Sequence, residues 1–279
     1  MNVKLLTMVT IFCLLMLSGA KETVNGFTWY HSGNLLQNPD ASSSSVNPPW
    51  TLSTGNWTIQ AGPLTLGSYT INSSNGSPWF LNSGALVVTC SSCYNSRTVT
   101  LAQTVNVSSY SNIIQNYAMD FVYGGDAFAV GGGSGSGQAG YYRASDAYQA
   151  NYRLDFLDSS GQVLATDTTG SLFNSPFGCV LGTFPKQNYG YRRTVTAIPQ
   201  ATHYIRFTAT MMDRLTVCYN YSTTSTFRNG FDSLWLDLVF LGGSGRESAN
   251  SRFKEGSAPG PSVKATLTPK RRVRHRSHR

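Results

Sequence analysis

The residues best equipped for chemistry in this chain are few, and their spacing excludes more than it admits. Cys90-x-x-Cys93 has the spacing of half a zinc site or of a redox motif. A structural zinc needs four ligands, and Cys179 and Cys218 stand apart without forming a second close pair. A thioredoxin-type motif opens a helix within an α/β pattern, which is missing here. Of the five cysteines, Cys13 lies in the first twenty residues. The remaining four, Cys90, Cys93, Cys179 and Cys218, read as two structural disulfides in an oxidising compartment. Three pairings are open, and those that send Cys90 and Cys93 to distant strands are favoured.

General acid–base chemistry finds little support. Between Val24 and Leu241 there is no glutamate, and His31 and His203 are the only histidines. A glycosidase needs two carboxylates flanking the scissile bond. Asp120 with Asp155 is the conceivable pair, but nothing separates those two from ordinary surface charges. No serine sits in a G-x-S-x-G elbow. Gly135-Ser-Gly-Gln-Ala-Gly140 spells a dinucleotide fingerprint, yet that motif must open a helix inside a βαβ unit. The segment after Gly140 is instead Tyr-rich and leads into another strand. The expectation is a flexible loop and a protein that is not an enzyme.

Recognition of a polar ligand with apolar faces, such as a sugar, asks for something else: an exposed aromatic beside planar polar side chains. Tyr141 and Tyr142 sit in a loop-like stretch with Arg143, Asp146 and Tyr148. Strand parity adds Asp120, Arg153, Asp155, Tyr204 and Arg206 on solvent-facing positions. The plainer reading of that set is a cross-strand lattice of Asp and Arg on a wet face. Among the tryptophans, Trp29, Trp50, Trp57 and Trp235 are expected to pack in the core. Trp79, in a Ser/Asn/Gly/Pro-rich stretch, is the candidate for an exposed platform.

The elements that must position these residues are strands. Val, Thr, Tyr, Phe and Ile recur, Gly, Asn and Ser punctuate, and no long segment has a helical period. Tyr117–Tyr123 and His203–Met211 alternate, Ala85–Thr89 and Thr98–Val107 are β-branched runs, and Leu234–Leu241 is an apolar strand interrupted by Asp237. Tyr152–Leu157 and Gln162–Thr166 flank Asp158-Ser-Ser-Gly161, a hairpin turn. The predicted fold is all-β, a two-sheet antiparallel β-sandwich of jelly-roll type, with long loops at Gly124–Gly140 and Phe173–Tyr191. The domain is placed at 34–241, after a lead-in at 21–33 and before a disordered basic tail at 242–279.

Asn34-Leu-Leu-Gln-Asn-Pro39, then Trp50 and Trp57, Gln103-Thr-Val105, and finally Leu236-Asp-Leu-Val-Phe-Leu241 come in an order that resembles a known group. They look like the jelly-roll carbohydrate-binding modules of the galactose-binding-like superfamily, including the sugar-binding F-box-associated domains. That resemblance implies glycan binding without catalysis, often with a structural calcium. The chain departs from the pattern where the calcium ligands belong. Asp40 and Asp237 are the carboxylates that could contribute, whereas calcium takes six to eight oxygens. The residues themselves require no cofactor.

The first twenty residues carry Lys4, an apolar run and Ser18-Gly-Ala20, and are expected to be a signal peptide. No later stretch is long and apolar enough for a transmembrane anchor, so the expected localisation is secreted and extracellular. In that setting Asn56, Asn72, Asn75, Asn106 and Asn220, each in an Asn-x-Ser/Thr sequon, are candidate glycan acceptors. The net charge of +8 belongs to the tail, since Lys186 and eight arginines between Val24 and Leu241 meet ten aspartates. Lys270–Arg279 could attach to an anionic polymer or surface through salt-sensitive attraction, and Arg271-x-x-Arg274 is a minimal convertase site. No specific nucleic acid partner is expected. The leading expectation is a secreted lectin-like glycoprotein. The alternative is a structural or adhesive glycoprotein attached by its tail.

Overall fold

The computed structural model describes residues 21–24, 27–43, 45–53, 55–66, 69–72, 78–88, 94–135, 144–173, 186–217 and 223–245. Strand parity decides its architecture. In β13 (Tyr204–Val217), Ile205, Phe207, Ala209 and Met211 are fully buried, and Arg206, Thr208 and Thr210 between them are partly exposed. This is the period-2 pattern of a sheet with one covered face. β9 (Tyr117–Gly135) repeats it, with Met119, Phe121 and Tyr123 buried. The inward faces of the two sheets meet: Phe121 packs on Phe156 with ring centroids 5.9 Å apart, and Tyr123 meets Phe207 edge-on at 6.5 Å.

Two antiparallel sheets result. The five-stranded sheet runs β11 (Val163–Thr168), β10 (Ala144–Leu157), β13, β8 (Tyr94–Asn106) and β3 (Thr51–Leu52). The seven-stranded sheet is organised about β14 (Thr223–Gly245). One edge of β14 carries β9, which in turn carries β12 (Lys186–Val195). Its other edge is shared. β7 (Trp79–Val88), followed by β4 (Asn56–Gln60), takes the first half, and β2 (Phe27–His31), followed by β1 (Lys21–Val24), takes the second. A small hairpin, β5 (Leu64–Leu66) and β6 (Tyr69–Ile71), a 3-10 turn (Ser108–Tyr110) and a short helix α1 (Ser111–Asn116) complete the regular elements of the described residues. Among those residues no helix is long and apolar enough to cross a membrane.

Three features depart from the expectations. The Gly-rich stretch from Gly124 is not a loop as far as Gly135, because its backbone pairs with Thr223–Trp235 of β14, with one irregularity beyond Asp232. The segment read as an excursion up to Tyr191 contains the first half of β12, paired with β9. The sheet also begins before Asn34, through β1 and β2. Residues 1–20, 136–143, 174–185 and 246–279 lie outside the described set.

The opening motif earns its place structurally. The Asn34 side chain donates to Leu234 O (2.7 Å) and accepts from the amides of Leu36 and Leu236 (3.2 and 3.0 Å), which fastens the chain's start to its last strand. Gln103, buried and inward-facing on β8, accepts from Gln37 N (2.7 Å) and donates to Gln37 O (3.0 Å). Trp50, fully buried against Phe80 and Phe207, donates its indole N–H to Asn38 O (3.1 Å). The expected Asp158 turn closes β10 on β11, with the carboxylate accepting from Ser160 and Gln162 amides.

The two inner strands β7 and β14 approach so closely that Gly230 has no room for a side chain. A Cβ there would lie 1.8 Å from Phe80 O, a backbone atom. Gly230→Ala is therefore expected to cost about 2 kcal/mol, since relief requires a backbone shift. Urea unfolding monitored by circular dichroism should show the lower midpoint with an unchanged slope.

Candidate functional site

The outer face of the five-stranded sheet brings together three of the charged residues singled out in the sequence. Asp155 on β10 is in register with Arg206 on β13, and Arg206 with Thr104 on β8. Thr166 on β11 pairs with Asp155 from the other side. Arg153 lies two residues before Asp155, on the same face. Asp155 Oδ1 accepts from Arg153 Nε (2.8 Å) and Thr166 Oγ1 (2.7 Å), and Oδ2 accepts from Arg206 Nε and Nη2 (3.1 and 2.8 Å). Strand parity puts Asp155 on the right face but in solvent. It is 1% exposed, roofed by the guanidiniums, whose side chains are 48% and 42% exposed for Arg153 and Arg206. Burial pushes the Asp155 carboxyl up, and the hydrogen bonds from Thr166, Arg206 and Arg153 outweigh it and hold the group below its usual range.

Around this cluster the face is hydroxyl-rich. Thr168 is in register with Arg153, and Thr208 and Thr210 come after Arg206 on β13. Tyr204 lies half-buried two residues from Arg206, in register with the exposed Asn106. The sheet can offer guanidinium edges, hydroxyls and one aromatic in a single layer, a combination suited to a polyhydroxylated ligand.

The other expected residues do not join it. Asp120 lies on the opposite sheet, on the outer face of β9; its cross-strand partner Val239 is itself in register with His31. Burial there pushes the Asp120 carboxyl up to about 6. Trp79 is not an exposed platform: it begins β7, is fully buried, meets Phe128 edge-on at 4.0 Å and donates to Gly62 O (3.0 Å). Together with Ile71 of the β5–β6 hairpin, Leu81 and Phe128 it forms a second apolar cluster. Tyr141 and Tyr142 fall outside the described residues. Their flanking strand end, Ala144, is nine positions along β10 from Arg153, roughly 30 Å at strand rise.

Asp237 and Asp40 each have hydrogen-bond partners of their own. Asp237, 3% exposed, accepts at Oδ1 from Ser32 Oγ (2.9 Å), and its Oδ2 lies 2.8 Å from His31 Nδ1. Asp40 Oδ1 accepts from Ser42 N (3.2 Å). Among the described residues no group of three or more His, Cys, Asp and Glu is placed to hold a metal. Cys90, Cys93, Cys179, Cys218, Asn75, Asn220 and Lys270–Arg279 lie outside the described residues. Asn56, Asn72 and Asn106 are exposed.

Two clusters escape sequence reasoning. Asp167 on β11 is inward-facing at the sheet edge, where it accepts from Tyr123 Oη (2.6 Å) and from Arg193 Nε and Nη2 (2.6 and 2.8 Å), tying the two sheets together. Arg193 holds its carboxyl below the usual range. Arg193 and Tyr123 are cross-strand partners, a relation visible only once β12 is known to be a strand. On the outer face of the larger sheet, Arg192 stacks over half-exposed Trp235, 5.7 Å from the ring centroid. Near it the buried Asp126 and Asp232 stand in register.

No family model matches the chain, and no curated protein matches its sequence. Among solved structures it is similar to the enzymatically active domain of bacteriophage CBA120 tailspike protein 4, at 14% identity and a TM-score of 0.31, over 75% of this chain and 21% of that one. It is also similar to TmCBM61, solved in complex with β-1,4-galactotriose, at 12% identity and a TM-score of 0.30, over 73% and 97% of the two chains. A third is a structure of infectious bursal disease virus, Gx strain, at 9% identity and a TM-score of 0.23, over 81% and 69%. Likeness at these scores carries no argument about function, and the sandwich rests on the strand pairing above.

The charge environments set two outcomes. Asp155→Asn leaves two guanidiniums facing a neutral amide and should lower stability by about 1–2 kcal/mol, discounted because both arginines are nearly half exposed. Asp120 acts in the opposite sense. Its folded value of about 6 lies above the ordinary carboxylate value of about 3.9, so its contribution is full below pH 4 and lost as pH rises through 6. Asp120→Asn should therefore match the parent at pH 4 and exceed it by about 1–2 kcal/mol at pH 7, after allowance for screening. Denaturant titrations at the two pH values read both variants.

Proposed function

We propose that this chain is a secreted, non-catalytic, lectin-like glycoprotein that binds carbohydrate on the outer face of its five-stranded sheet. The observation that carries the reading is the Arg153–Asp155–Arg206 cluster: one buried carboxylate holding two half-exposed guanidiniums in fixed orientation. A guanidinium fork can donate to two neighbouring hydroxyls of a sugar at once, and the carboxylate removes most of the entropy cost of aiming it. Tyr204 supplies an apolar surface beside the fork, and the threonines supply exchangeable hydroxyl contacts. The absence of glutamate from the body and the resemblance of its opening and closing motifs to sugar-binding jelly rolls support the same reading. Secretion is supported by the character of residues 1–20.

One observation favours the alternative, an extracellular structural or adhesive glycoprotein attached through Lys270–Arg279. Asn106 lies in register with Tyr204, so a glycan on its sequon would shade the Arg206 face. Glycan-array binding by the full chain separates the two readings. Selective binding that persists at 0.5 M salt, and that Arg206→Ala or Arg153→Ala weakens about tenfold, is the expected outcome. Asn106→Gln should leave that binding intact or strengthen it. Binding confined to anionic glycans, abolished by salt and indifferent to both arginines, would move the function to the tail.

A further inference from the structure

One level of the interior is polar, and it is built from both sheets. On β7, Asn82 stands in register with Trp57 of β4 on one side and Asn229 of β14 on the other. Asn82 and Asn229 are fully buried, and Trp57 is 9% exposed. Across the sandwich, Asp213 of β13 is in register with Arg97 of β8 and is also fully buried. Arg97 Nε donates to Asp213 Oδ2 (2.7 Å), and Asn229 Nδ2 reaches over from the other sheet to donate to Asp213 Oδ1 (2.6 Å). Two residues beyond Asn82, Gly84 makes room for the guanidinium, since a Cβ there would lie 1.6 Å from Arg97 Nη1.

Four atoms of this level have no hydrogen-bond partner among the described residues: Trp57 Nε1, Asn82 Nδ2, Asn82 Oδ1 and Asn229 Oδ1. All belong to the same cross-strand row. Leaving four such atoms dry would forfeit an amount comparable to the net stability of a whole domain. Their chemistry is complementary to one small molecule type. Two are N–H donors and two are carbonyl acceptors, and water offers two acceptor sites and two donors.

We infer that the Trp57–Asn82–Asn229 row is an internal hydration site, where ordered water accepts from the Trp57 indole and the Asn82 amide and donates to the Asn82 and Asn229 carbonyl oxygens. The bound water extends the Arg97–Asp213–Asn229 bridge to β4 and makes it a continuous polar link across the sandwich. The site is independent of the sugar-binding reading, since it lies between the sheets and not on their outer faces.

Water-to-protein ROESY on the ¹⁵N-labelled full chain tests the inference, with Trp57→Phe identifying the indole signal. The expected result is a dipolar cross-peak from water to the Trp57 indole proton, opposite in sign to the diagonal, with the slow-tumbling NOE sign of a long-lived water. A folded spectrum without that cross-peak, or one with only an exchange peak, overturns the proposal. Asn82→Leu, which roughly keeps the volume, should abolish the cross-peak; its persistence would mean that Asn82 does not hold the water. A high-resolution crystal structure gives the second reading. Water density within about 3.2 Å of Trp57 Nε1 and Asn229 Oδ1 is expected, and direct pairing of the two asparagine amides would refute the site even if Asn82→Leu fails to fold.

Discussion

The backbone of β14 is the interaction on which the rest of the molecule depends. A strand interior to a sheet must find partners for the N–H and C=O groups on both of its edges. β14 does so with β9 along one edge, and with β7 and then β2 along the other. The side chains obey that constraint. Leu234, Leu236 and Leu238 face the core, and Asp237 faces outward between them. Asn34 adds the lateral tie, satisfying β14 backbone groups at Leu234 and Leu236 with one amide.

A second regularity concerns carboxylates. Among the described residues, Asp126, Asp155, Asp213, Asp232 and Asp237 are all buried. Several are held by groups very near in the chain or by a backbone amide: Asp232 by Ser233 N, Asp126 by Gly190 N, Asp155 in part by Arg153. A short side chain reaches such partners with few rotors to freeze. The acidic residues of the body are all aspartate, the shorter of the two carboxylates, a bias that in the sequence speaks only against acid–base catalysis. Charges buried this way need their partners, so they specify register across β10–β13 and β8–β13 as well as stability.

Much of the architecture can be read from residues alone, and the failures have identifiable causes. The alternation in Ile205–Met211 and Met119–Tyr123 directly marks half-buried strands. The Gly124–Gly135 part of β9 carries no such mark, because six of its twelve residues are glycine and Asp126, Ala127, Phe128 and Ala129 are all buried; its place is set by pairing with β14. Trp79 defeats a reading from composition because its cover comes from Ile71 in a separate hairpin, whose packing the local sequence does not display. Asp120 has the parity of Asp155 but the wrong sheet, and sheet membership is a property of pairing that a single strand does not display. Arg153, Asp155 and Arg206 come together because parity within one sheet is enough to find them. The buried row of Trp57, Asn82 and Asn229 lies on three strands spread along the sequence, and only their register assembles it.

The pairing of Val239 with His31 joins residues about two hundred positions apart. A chain emerging from a ribosome makes β2 first and its partner last, so the larger sheet cannot close until synthesis is nearly complete. Until then β7 and β9 both lack the neighbour that later lies between them, and their open edges are templates for other chains. Loop-closure entropy makes such non-local pairing slow relative to the folding of a helical domain. Pairing with another chain at either open edge would compete with the arrival of β14.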